Sequence, residues 1–173
     1  MRAGEQIFLR ATEPGDIDFL YDLENDPGLW RVSNTSGPYS RHVLEEYIQN
    51  SVHDIFVTRQ QRFIICTHKS KTPVGCVDLF DFEPLHRRAG IGIVITHENR
   101  GNGFAAEALD LLLEHCKKVL NLYQVYASVL EENEAGKTLF LSRGFSMTGT
   151  RKGWILWDGN FQDESFLQKT LEA

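Results

Sequence analysis

The chain has 173 residues, a formal net charge of −6, 42% hydrophobic and 24% charged residues. That is enough apolar material for one well-filled core and cramped for two. The acidic balance excludes bulk nucleic-acid binding and leans towards cationic partners. Cys66, Cys76 and Cys116 stand apart inside apolar runs with no CxxC pair, the pattern of reduced thiols in a cytoplasmic protein. His42, His53, His68, His86, His97 and His115 fall in no HxxxH or HExxH spacing, so no metal site is expected. No apolar run reaches membrane-spanning length, and residues 1–6 do not make a signal peptide.

In chain order, Ile7 to Arg10 reads as a first strand. Pro14 then opens a helix from Asp16 to Asn25, with Ile17, Leu20, Tyr21 and Leu23 for one face. The run from Asn25 to Gly28 ends it, and Ser33 to Pro38 is a polar, turn-rich loop. Ser40 caps a second helix carrying Val43, Leu44, Tyr47 and Ile48. The pattern then turns to strands. Phe63 to Thr67 and Val74 to Phe82 form a hairpin across the turn residues Lys69 to Pro73, and Ala89 to Thr96 is the next strand. A long helix follows, with Leu109, Leu112, Leu113, Cys116 and Leu120 on its apolar face. Gln124 to Leu130 is a further strand, and Asn133 to Ser142 a short helix that Gly144 closes. Phe145 to Trp157 and Phe161 to Thr170 pair through Asp158-Gly159, a strong hairpin signal. With no repeat, low-complexity run or linker, the expectation is one α/β domain over residues 1–173.

The most informative stretch runs from His97 to Ala108, between the strand Ala89–Thr96 and the long helix. A glycine-bearing loop there puts unpaired backbone N–H groups at a helix N-terminus, a seat for a phosphate-rich ligand. Gly101 and Gly103, lacking Cβ, let backbone and phosphate approach. No GKS or GKT follows, which excludes a nucleoside-triphosphate P-loop. Residues Gly101 to Ala106 formally satisfy G-x-G-x-x-[G/A], with Glu131 where a ribose-binding acid would stand. But only about 40 residues follow Glu131, too few for the remaining βαβ units of a doubly wound fold.

A further reading takes in more residues. Arg100, Gly103 and Ala105 resemble the R/Q-x-x-G-x-G/A acetyl-CoA signature of the GNAT superfamily of N-acetyltransferases. The stretch from Asn133 to Phe145, an Asn opening a short helix that ends in Gly-Phe, resembles its second hallmark. The resemblance spans almost the whole chain. It is nearest to the spermidine acetyltransferase and ribosomal-protein N-terminal acetyltransferase branch, through Asn121 to Tyr123, Leu85 to Ala89, and Asp158 to Asp163.

The resemblance implies an α/β fold of GNAT type: a mixed central sheet, mostly antiparallel, with one splayed parallel pair, flanked by helices. Acetyl-CoA, as co-substrate, would lie between the strands Ala89–Thr96 and Gln124–Leu130. Ile93, Val94 and Ile95 would pair with the pantetheine amides. Arg100, Gly101, Asn102, Gly103, Phe104, Ala105 and Ala106 would cradle the pyrophosphate, Asn133 would hold the arm near the thioester, and Lys137 would reach a phosphate. Asn133 also reads as a plain N-cap and Lys137 as a solvated helix lysine.

The expected reaction is direct attack of a primary amine on the thioester. The acceptor is a polyamine, a protein N-terminus or a small amine, with homo-oligomer formation left open. The family's proton-donating tyrosine falls at Phe140, which cannot donate. Three alternatives stand: unaided thiolate departure, help from Tyr126 or Ser142 through water, or a non-catalytic acyl-CoA-binding or sensing module. For the base, Asp78 and Asp81 are the candidates. Three apart on a regular strand, they are expected to face opposite sides. Glu83 and His86 follow them in the next loop. Trp30, Tyr39, Trp154 and Trp157, with Asp22, Glu24, Asp26, Glu45 and Glu46, suit a cationic amine. The spermidine branch carries an acidic pair before Pro38-Tyr39, where this chain has Ser36-Gly37.

Overall fold

The computed structural model describes residues 4–33, 35, 37–50 and 54–171. Seven strands form one sheet: β1 (Ile7–Ala11), β2 (Gln61–Thr67), β3 (Pro73–Glu83), β4 (Arg88–Ile95), β5 (Gln124–Leu130), β6 (Ser146–Trp157) and β7 (Asn160–Thr170). Their spatial order is β1-β2-β3-β4-β5-β7-β6. Every neighbouring pair is antiparallel except β4 and β5, which is the mixed sheet that the resemblance implied.

The central strands read as apolar runs because both faces of the sheet are covered. On one face, Phe63, Ile65, Val77, Leu79, Ile91 and Val125 pack against Leu109, Leu112 and Cys116 of helix α5 (Phe104–Lys118). On the other, Ile64, Cys66 and Cys76 meet Leu20 and Leu23 of α1 (Ile17–Glu24), Leu29 of α2 (Pro27–Ser33) and Ile48 of α3 (Arg41–Asn50). A single turn, α4 (Ile55–Thr58), precedes β2, and α6 (Glu134–Ser142) lies between β5 and β6.

Local chemistry accounts for most boundaries. Ser40 Oγ accepts the Val43 N–H at 3.2 Å, capping α3 as its position promised. Asp158 and Gly159 both take positive φ, 46° and 74°, as a tight hairpin turn demands. Two elements escaped the sequence reading. Pro27-Gly28 reads as the end of α1, yet Pro27 is the first residue of α2, where its missing N–H costs nothing. The four-residue α4 is held by Asp54, whose Oδ1 accepts the Phe56 N–H at 2.9 Å, and is too short to show a period.

The consequential departure lies in β3. Its ladder with β4 runs Asp78↔Gly92, Leu79↔Ile91, Phe80↔Gly90 and then jumps to Glu83↔Arg88. Two residues, Asp81 and Phe82, therefore oppose one, and Asp81 takes φ 49° inside the strand. This β-bulge breaks the alternation from which opposite faces for Asp78 and Asp81 were expected. Phe80, two residues from Asp78, packs edge-on against Tyr126 with centroids 5.9 Å apart. Asp81 accepts the hydroxyl of that same tyrosine at 2.9 Å. Both acids thus serve the α1–α3 side of the sheet.

Gly90 makes that arrangement possible. A Cβ there would lie 2.3 Å from the Phe80 ring. Gly90→Ala is expected to cost about 1–3 kcal/mol through overpacking, read as a lower midpoint in urea. Gly149→Ala, where a Cβ meets nothing within 4 Å, is the neutral control. Equal midpoints for the two variants would contradict this packing.

Candidate active site

The parallel ladder has only three rungs: Arg88↔Gln124, Ala89↔Val125 and Gly90↔Tyr126. Beyond Gly90 the strands part. The wedge between them opens into a cleft of about 450 Å³. Its walls are residues 91–95 of β4 and Ser128, Val129 and Leu130 of β5, with Gly28 and Leu29 of α2 at one side. Asn99, Arg100, Gly101, Gly103 and residues 104–106 close one end, and Asn133, Ala135, Gly136, Leu139 and Phe140 line the α6 side. Ile93, Val94 and Ile95 are therefore wall residues whose backbone edge towards β5 has no strand partner in the ladder.

The loop leading into α5 is built to leave N–H groups open. Gly101 and Gly103 take φ 78° and 81°, conformations that cost a glycine nothing. Gly103 is the N-cap of α5 and supplies no side-chain cap. Glu107 in the first turn is engaged elsewhere, accepting the Gln6 N–H at 3.0 and 3.3 Å. Arg100 Nε donates to the Ile95 carbonyl at 3.1 Å, which ties the loop to the end of β4. Asn102 is not a wall residue: its amide turns back to the carbonyls of Asn99 and Arg100, at 3.0 and 3.3 Å.

Across the cleft, Asn133 caps α6, its Oδ1 accepting the Gly136 N–H at 2.9 Å. Gly136 is required there, since a Cβ would lie 2.8 Å from Asn133 Nδ2. Phe140 is buried, edge-on to Phe145 at 5.0 Å, with its ring on the cleft wall. Lys137 departs from expectation. Its ammonium lies 2.8 Å from Glu134 and 3.4 Å from Glu131, and it does not line the cleft. Two carboxylates already hold the charge that the resemblance assigned to a phosphate.

The acidic candidates separate in the same way. Asp78 is gripped by Arg62, Nε to Oδ1 at 2.7 Å and Nη2 to Oδ2 at 2.8 Å. The same guanidinium donates to Glu24 of α1 and lies 5.4 Å from the Tyr47 ring of α3. Burial alone would lower the arginine's pKa, but the Asp78 carboxylate outweighs it and holds the guanidinium firmly charged. The Asp78 carboxylate is thus committed to the guanidinium on both oxygens. Asp81 is exposed and carries the Tyr126 hydroxyl. Burial, and then the bond to Asp81, push that phenol up to about 12, so Tyr126 is a proton donor at neutral pH.

His86 is exposed in the loop after β3. Ser142 is turned back on the Leu139 carbonyl at 2.8 Å. Trp30 donates to the Glu24 carbonyl at 2.8 Å and braces α2 against α1. Trp154 is exposed, with Arg151 at 5.2 Å. Ser36 of the Ser36-Gly37 pair lies outside the described residues. Among the described residues no group of three or more His, Cys, Asp or Glu is arranged to hold a metal ion.

The Arg62–Asp78–Glu24 cluster escaped the sequence reading. Arg62 stands directly opposite Asp78 only because the β2–β3 register shifts between Ile65 and Cys66; counting back from the turn would have set it opposite Val77. The contribution of α2 to the cleft carried no signal either.

Against this geometry, known proteins align as follows. The acetyltransferase (GNAT) domain family matches residues 6–146. Spermidine N(1)-acetyltransferase of Vibrio cholerae is 30% identical over 158 residues, 91% of this chain and 89% of that protein. The Escherichia coli K12 enzyme of the same name is 31% identical over 164 residues, 94% and 85% respectively. Among solved structures, spermidine N-acetyltransferase from Vibrio cholerae in complex with CoA and spermine superposes with a TM-score of 0.90 at 27% identity, covering 97% of each chain.

Removing the guanidinium at the centre of the cluster tests its structural role. Arg62→Met leaves two largely buried carboxylates without their cation and is expected to cost about 3 kcal/mol. In a urea-unfolding cycle, Arg62→Met with Asp78→Asn should cost clearly less than the sum of the singles. Strict additivity would mean that the pair is not coupled.

Proposed function

The chain belongs to the GNAT acetyltransferase family, and from that footing we propose that it moves an acetyl group from acetyl-CoA to a primary amine of the polyamine class. The observation that carries this reading is the parting of β4 and β5 after Gly90↔Tyr126. A strand edge left open beside an apolar slot suits the amide-bearing pantetheine arm, which can complete the ladder as another strand would.

The residues present fit the co-substrate. Uncapped N–H groups at the N-terminus of α5, with no Cβ at Gly101 or Gly103, suit a pyrophosphate. We assign Arg100, Gly101, Gly103, Phe104, Ala105 and Ala106 to that cradle, the edge of Ile93, Val94 and Ile95 to the pantetheine, and Asn133 to the arm near its end. Asn102 serves the loop itself, and Lys137 serves its carboxylates. When bound, acetyl-CoA supplies an activated carbonyl and a thiolate leaving group. The Phe140 ring keeps the sulfur end of the slot apolar and gives no proton, so the proton for the departing sulfur comes from water.

The polyamine class rests on the relatives, named spermidine N(1)-acetyltransferases, and on the structure containing CoA and spermine. The chain's net charge of −6 and the exposed Asp81 carboxylate suit a cation. A cytoplasmic setting agrees with three free, buried cysteines. No helix among the described residues is long and apolar enough to cross a membrane.

Release of free thiol from acetyl-CoA is the test, with spermidine, spermine, an N-terminal peptide and a small monoamine as acceptors. The polyamines should give the highest kcat/KM, and a peptide or monoamine outpacing them would overturn the class. Ala106→Glu tests the cradle. An acid in the first turn of α5 favours the helix by about 0.3–1 kcal/mol, yet it sets a negative charge where phosphate must lie. The variant should melt no lower than wild type while its calorimetric Kd for acetyl-CoA rises at least tenfold. An unchanged Kd would remove the cradle from α5.

A further inference from the structure

A second groove, of about 590 Å³, lies along the paired rungs of β4 and β5, with Arg88, Gln124 and Tyr126 in its wall. Tyr126, the last residue of β5 still paired with β4, belongs to its wall. Ser128, two residues on and on the same face, lines the cofactor cleft. Arg151 of β6 spans the two, lining the groove while its Nη1 donates to Ser128 Oγ at 3.3 Å. The two cavities thus border neighbouring positions of β5 near the point where the strands part.

Near that point the chain spends backbone strain. A non-glycine residue at positive φ inside a strand is uncommon, and Asp81 holds φ 49° at the bulge. The bulge aims its carboxylate at the Tyr126 hydroxyl, 2.9 Å away. The phenol ring is fixed by Phe80 edge-on at 5.9 Å and by Phe166 tilted at 5.2 Å. Strain, ring packing and hydrogen bond together give one orientation to one hydroxyl.

We propose that the acceptor amine enters through this groove and loses its proton to the Tyr126 hydroxyl, whose own proton passes to Asp81. The inference rests on the acetyl-transfer reading above and adds to it the missing proton path. The ammonium N–H bond breaks as a bond to Tyr126 Oη forms, and the Tyr126 O–H proton moves to Asp81 Oδ2. The freed nitrogen lone pair then bonds to the acyl carbon while the carbon–sulfur bond breaks, and the nitrogen's second proton passes through water to the departing thiolate. Asp81, being exposed, returns the proton to solvent. Tyr126 touches the amine and is the catalytic residue; Asp81 acts through it.

Several charges face this pair. Glu83 of β3, Arg88 of β4 and Arg59, next to α4, line the groove. The charge of Arg151 is met by Glu164 of β7 at 2.7 Å. The walls are of mixed sign, and Asp81 and Glu83 are the groups there that favour a cation.

The test compares wild type, Tyr126→Phe, Asp81→Asn and the double variant. Phe keeps the ring contacts, and Asn tolerates positive φ, so both should fold; calorimetric affinity for acetyl-CoA checks that they do. Each single change should lower kcat/KM for the amine about 100-fold with acetyl-CoA affinity unchanged, and the double should fall no further than the lower single. The wild-type kcat/KM should stay level across neutral pH. In Asp81→Asn only the free-base amine reacts, so its rate should climb about tenfold per pH unit. An active wild type with either variant within twofold, or with the same level profile in Asp81→Asn, overturns the relay alone. A wild type inert to every amine overturns both the relay and the acetyl-transfer reading.

Discussion

Three rungs of parallel pairing, ending at Gly90↔Tyr126, govern much of this molecule. Had β4 and β5 stayed together, their facing N–H and C=O groups would have satisfied one another and the sheet would be closed. Parting them leaves a polar backbone edge inside an otherwise apolar slot. An unmet buried backbone group costs about 1–3 kcal/mol, so the slot is worth keeping open only for something that completes the ladder. Everything around it is arranged to hold the two strands apart. α5 and α6 follow β4 and β5 respectively, and each begins at the mouth of the wedge.

The two helix starts divide the work. α5 begins with a glycine and offers uncapped N–H groups; α6 begins with an asparagine that satisfies its own helix through Gly136. The first is open to an anion, and the second is a rigid wall. Side-chain charge follows the same division. Glu107 in the first turn of α5 is tied to the Gln6 backbone, and Lys137 in the first turn of α6 to Glu131 and Glu134. On the proposed assignment the cradle is chiefly a backbone device.

Much of this was legible before any coordinates. The strand–loop–helix at Arg100 to Ala106 and the Asn133-to-Phe145 helix carry their chemistry in short motifs whose geometry is local. The hairpins carry theirs in Asp158-Gly159 and in the alternation on either side. What escaped depends on relations between distant residues. The Arg62 cluster joins β2, β3 and α1 through register rather than through any local pattern. The bulge at Asp81 has no marker in the sequence: an aspartate in Asp78 to Glu83 gives no sign of positive φ, and strict alternation put Asp78 and Asp81 on opposite faces. α2 was hidden by Pro27-Gly28, a pair that stops a helix as readily as Pro27 starts one.

The phenyl ring at Phe140 shifts the chemical burden within the site. A thiolate is a far better leaving group than an alkoxide, so losing a proton donor on the sulfur side costs less than losing a proton acceptor on the amine side, where an ammonium cannot attack at all until it is deprotonated. Selection on such a site falls harder on the path that takes a proton away than on the one that gives a proton back. The strained Asp81, the ring-locked Tyr126 and the glycine that admits Phe80 beside them all lie on the α1–α3 side of the sheet. Phe140, buried edge-on against Phe145, lies on the wall of the other cavity. On the proposed relay, the chain concentrates backbone strain and polar precision where the amine would be activated, and leaves the slot beside Phe140 to plain apolar packing.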